Sequence, residues 1–122
     1  MLRVLYFVVS VMIIALGVIH VAAMPRFFAT LTSGAIWFAS GGIAIMITGA
    51  LNLLRRAYGE MAPGVRLVCV ATNVVMTFVA LLAGYASRAS ALQFALVVGL
   101  IGGATLLSLL PAAQKRTVAP TT

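Results

Sequence analysis

The chain has 122 residues, 64% of them hydrophobic and 7% charged, and a mean hydropathy of +1.22. So little polar surface cannot cover a water-soluble globule of this size, which excludes a soluble enzyme or a soluble binding domain. Eight basic residues against one acid give a formal charge of +7, but they stand singly or in pairs between apolar stretches. That spacing marks membrane topology and not a nucleic-acid partner.

Four apolar runs follow one another: Val4 to Ala23, Ala35 to Leu54, Leu67 to Tyr85 and Ala91 to Leu110, none interrupted by Asp, Glu, Lys or Arg. Each has about 20 residues, enough at ~1.5 Å of rise per residue to cross a hydrocarbon core of roughly 30 Å as a helix. The expected fold is an all-α, integral membrane four-helix bundle with antiparallel up-down topology. It occupies residues 1–111 as one domain, followed by a disordered, Pro/Thr-rich tail at 112–122.

Between the first two runs, Pro25 is expected to end helix 1, Phe27 and Phe28 suit the headgroup level, and Thr32 or Ser33 can cap helix 2. Arg3, the apolar stretch after it and the small residues Val21 and Ala23 also fit a signal peptide cleaved after Ala23. The run is longer than a usual h-region and His20 interrupts it, so an uncleaved helix is the preferred expectation. The second connection carries Tyr58, Gly59, Pro63 and Gly64, with Pro63 suited to the first turn of helix 3. The third, Ser87 to Ser90, is a tight turn that leads into the capping-box pattern Ser90-x-x-Gln93. Connections this short force sequential helices to lie side by side and antiparallel.

Charge sets the expected orientation. Arg3, Arg55, Arg56, Arg66, Lys115 and Arg116 fall on one side of the bundle and Arg26 and Arg88 on the other. The positive-inside rule then puts both termini in the cytoplasm of a bacterial-type inner membrane. The acid Glu60 lies in the inner connection near Arg55 and Arg56, where a solvated pair contributes little. The lone Cys69 allows no intrachain disulfide.

Three groups of residues stand out. On helix 2, Ser40, Ala44, Thr48 and Asn52 share a face, and on helix 3 Cys69, Asn73 and Thr77 do the same. These stripes are expected to meet, with Thr48 and Asn73 at similar depth, either as interhelical glue or as a polar path. On helix 4, Ala91, Ala95, Gly99 and Gly103 form a shallow ridge containing G-x-x-x-G. A neighbouring helix is expected in that groove, from this chain or from another. Toward the outer side His20, Trp37, Tyr85 and Gln93 fall at one level. Trp37 and Tyr85 suit the interface as aromatics and Gln93 suits its cap, while His20 is a weak candidate for haem iron or a quinone.

One His, one Cys and one loop Glu are too few for acid–base, nucleophilic or metal chemistry, so no catalysis, cofactor or metal is expected. In size and helix plan the chain resembles the small multidrug resistance exporters. That family works through a carboxylate in its first helix; the first run here has none, so no functional residue carries over. The expectation is a non-catalytic assembly or accessory subunit, associated with the lipid bilayer and with copies of itself or another membrane protein. The alternative is a small oligomeric transporter or channel for a neutral or cationic solute, using the stripe between helices 2 and 3.

Overall fold

A computed structural model describes residues 1–110 of the chain, and the residues expected to form a tail at 112–122 lie outside that range. The described residues form four helices and no strands: α1 (Leu2–Phe27), α2 (Ser33–Tyr58), α3 (Pro63–Ala86) and α4 (Ala91–Leu109). All four are long and apolar enough to span a membrane, and large apolar side chains such as Val75, Phe78 and Leu92 are exposed, as a lipid-facing surface requires. The chain is a small membrane protein built as a four-helix bundle.

Local chemistry accounts for most of the helix ends. Thr32 caps α2, its Oγ1 accepting from the Ala35 N–H at 3.2 Å. Pro63 opens α3, where its missing N–H costs no hydrogen bond. Ser90 and Gln93 close a complete capping box on α4. Arg88 adopts φ 50 at the end of α3, and the bonds Arg88 N–H to Tyr85 C=O (3.3 Å) and Ala89 N–H to Gly84 C=O (3.2 Å) make a Schellman turn.

Two ends differ from expectation. Helix α1 runs through Pro25 to Phe27, because a proline in the last turn removes only one ladder bond and the remaining turn closes with Phe28 N–H to Met24 C=O at 3.0 Å. Arg55 and Arg56 belong to the last turn of α2 and not to a loop; there their charge faces the negative end of the helix dipole.

The helices pair as two hairpins, α1 with α2 and α3 with α4, the first being the more intimate. Glycines make that closeness possible. A Cβ at Gly17 would come within 2.6 Å of the Gly42 carbonyl oxygen, one at Gly42 within 2.9 Å of the Gly17 carbonyl, and one at Gly49 within 2.8 Å of the Ser10 carbonyl. Ser10 and Gly17 on α1, and Gly42 and Gly49 on α2, repeat at seven residues, the period of a left-handed antiparallel crossing. In the second hairpin a Cβ on Gly84 would run into the Phe94 ring, and Thr77 and Thr105 share a hydroxyl hydrogen bond of 2.9 Å. The hairpins join along the Arg-rich end and the bundle centre. There Tyr6 packs with Leu107, and Ile13, Ile45 and Ala104 meet from three helices.

The α4 ridge is not part of this packing. A Cβ at Gly99 or Gly103 would meet nothing within 4 Å, and Ala91 and Ala95 are exposed. Among the described residues no helix fills that groove: α4 turns Ile101, Ala104, Leu107 and Ser108 toward the core instead. Ile101 and Leu107 bury more surface than any ridge residue could and interlock with the other helices, so the Ala/Gly face is left outward.

Candidate functional site

The polar stripes meet in a closed cluster toward the Arg-rich end. Asn52 Oδ1 accepts from Asn73 Nδ2 at 2.8 Å, from the Tyr6 hydroxyl at 2.6 Å and from the Cys69 thiol at 3.3 Å. Its Nδ2 donates to Asn73 Oδ1 at 2.9 Å and to the Thr48 carbonyl at 2.9 Å. Every hydrogen-bonding position of the Asn52 amide is therefore used. Tyr6, Thr48, Asn52, Cys69 and Asn73 are fully buried. Such an arrangement ties α1, α2 and α3 together through buried, mutually bonded groups.

Asn73 thus pairs with Asn52, one turn from the expected partner Thr48, whose hydroxyl bonds back to the Ala44 carbonyl at 2.8 Å. Cβ atoms lean toward the N-terminus of a helix. On antiparallel helices that tilt carries Asn52 away from the inner connection and Asn73 toward it. The two lean into each other across a stagger of about four residues, ~6 Å. Thr77 lies farther along α3 and reaches across to Thr105 of α4. Ser40 is exposed and bonds its own helix at the Ile36 carbonyl, so it has no place in the cluster.

Tyr6 and Thr105 escaped the sequence reading. Tyr6 is the one tyrosine within the first apolar run, and a phenol hydroxyl placed there signals a buried partner. Thr105 stands one turn from Ile101, whose carbonyl its hydroxyl also reaches at 3.0 Å. Beyond the cluster lies Arg55, fully buried. Its Nη1 reaches the Arg66 carbonyl at 3.4 Å, while Nε and Nη2 find no hydrogen-bond partner among the described residues. Beside it Arg56 donates to the Arg3 carbonyl at 3.3 Å and covers the Phe7 ring at 5.1 Å. Arg3, Arg55, Arg56 and Arg66 are thereby gathered at one end of the bundle.

At the opposite end the hairpins part and leave a cavity of about 440 Å³, a size within the range of small-molecule sites. Leu16 and His20 of α1, Trp37 and Phe38 of α2, and Gln93 and Phe94 of α4 lie on its walls, with Ala80 and Gly84 of α3 opposite. His20 is stacked on Phe38, ring centroids 4.0 Å apart and 15° from parallel, and Phe27 and Phe28 lean on the same ring. A Cβ at Gly41 would sit 3.7 Å from His20 Nε2, so the glycine keeps the space beside the imidazole open.

Of the four residues expected at this level, His20, Trp37 and Gln93 share the cavity. Tyr85 does not: it is 85% exposed and faces outward from α3, where an amphipathic ring suits a membrane interface. Among the described residues no three His, Cys, Asp or Glu side chains gather as a metal site would need. Comparison of the chain with models of protein families, with curated proteins and with solved structures found no match.

Proposed function

We propose that the chain is a non-catalytic assembly or accessory subunit of a larger complex in a bacterial-type inner membrane, with both termini cytoplasmic. The observation that carries this reading is the α4 face formed by Ala91, Ala95, Gly99 and Gly103, which no helix among the described residues covers. Helices associate in lipid through close backbone approach, and an uncovered small-residue face offers that approach to a helix from outside. The Arg-rich end supports the orientation, since Arg3, Arg55, Arg56 and Arg66 stand against Arg26 and Arg88 at the other end.

The polar stripe gives a transporter little to work with, because its amides are paired with each other and shut away from both surfaces. The test is to replace Gly99 and Gly103 by Ile and compare the complexes extracted in mild detergent. The proposal expects the large species to be lost while the single chain keeps its helicity and melting temperature. Unchanged complexes would reject the α4 face as the interface.

A further inference from the structure

The cavity between the parted hairpins carries the polar side chains His20 and Gln93 on otherwise largely apolar walls. Among its lining residues none is Asp, Glu, Lys or Arg. A cationic ligand would find no counter-charge there and an anionic one no neutralising base, so the occupant is neutral.

His20 supplies the polar contact on α1, its ring held by the stack on Phe38 and its Nε2 beside Gly41 of the cavity wall. A neutral imidazole carries one N–H donor and one acceptor nitrogen. A hydroxyl can pair with either nitrogen, whereas a quinone carbonyl, ester or ether can only accept. Gln93, at the mouth, has its Oε1 held by the Ser90 N–H at 3.2 Å and the Ser90 hydroxyl at 3.0 Å. The amide N–H₂ is what remains to face a ligand oxygen.

Below these groups the slot is apolar. From Trp37 to Ile45 it follows eight residues of α2, about 12 Å, and reaches Met76 of α3 and Ile101 of α4. We propose that this cavity binds a neutral lipid-phase alcohol or phenol, its hydroxyl hydrogen-bonding to the His20 imidazole and its apolar body lying along the slot toward Ile45 and Met76. The site is independent of the α4 ridge, so it stands whether or not the chain works in a complex.

Trp37 is the one tryptophan in the chain and borders the cavity while 77% exposed, so the saturable part of its quenching reports occupancy and the linear part reports probe in bulk lipid. The full chain in lipid nanodiscs is titrated with a dibrominated long-chain alcohol and, separately, with the methyl ether of the same chain. Saturable quenching is expected, with the alcohol acting at a concentration about fivefold lower than the ether. His20→Phe keeps the stack on Phe38 but removes both nitrogens, and should erase the alcohol's advantage. Gly41→Leu fills the space beside the imidazole and should weaken both probes. Circular dichroism confirms that each variant is folded. Equal, non-saturating quenching by the two probes, the behaviour of bulk lipid entering a gap, would overturn the proposal. So would an advantage for the alcohol that survives in folded His20→Phe.

Discussion

Asn52 and Asn73 exchange amide hydrogen bonds of 2.9 and 2.8 Å across the α2–α3 contact. With Tyr6 and Cys69 also directed at Asn52 Oδ1, a single carbonyl oxygen collects donors from three sources. In a membrane interior water cannot replace a lost partner, so the pair acts as a unit.

Asn73→Leu should therefore destabilise the protein by about 1–3 kcal/mol, the cost of leaving the Asn52 amide short of partners. Replacing both residues by Leu should cost less than the two single changes added together, because no orphaned amide remains. Reversible unfolding in mixed micelles measures all four corners of this cycle. Strict additivity would mean that the two amides are not coupled.

Cys69 offers a simpler readout, being the lone cysteine of the chain and fully buried. In the wild type its thiol should resist a membrane-permeant maleimide. In Asn52→Leu, labelling should quicken by about tenfold, the rate tracking local opening of the cluster. Rapid labelling of the native protein would contradict the closed arrangement.

The two glycine sets should respond in opposite ways. Gly42→Leu forces a side chain into the Gly17 carbonyl and Val21, and should cost more than about 3 kcal/mol or prevent folding outright. Gly103→Leu meets open space and should leave the thermal stability of the isolated chain within about 0.5 kcal/mol. Melting curves in one detergent compare them, and equal losses would mean that α4 is packed from within the chain.

Arg88→Gly should raise stability by about 1 kcal/mol, since Arg88 holds a left-handed conformation at φ 50 where glycine carries no Cβ penalty. The same melting assay reads it. A decrease would mean that the arginine side chain makes a stabilising contact that outweighs its backbone strain.

These outcomes separate what the sequence could reveal from what it could not. The caps at Thr32 and Ser90, the start of α3 at Pro63 and the number of spans follow from chemistry within a few residues of each position. The Asn52–Asn73 register depends on how side chains lean on opposed helices, so a count from the inner loop lands one turn away, at Thr48. The G-x-x-x-G of α4 is the more conspicuous motif, yet the chain packs on the seven-residue repeats Ser10–Gly17 and Gly42–Gly49. Which small-residue face is used depends on the shapes of all four helices together. The cavity arises from the parting of two hairpins, a tertiary property, although three of its polar or aromatic wall residues were already visible as a common level on the outer side.

Native mass spectrometry of the protein, released gently from its own membrane, tests the central claim most directly. The expected spectrum shows this chain bound to a different membrane polypeptide, an association lost when Gly99 and Gly103 are replaced by Ile. A spectrum containing only the single chain, or only copies of it, would contradict an accessory role.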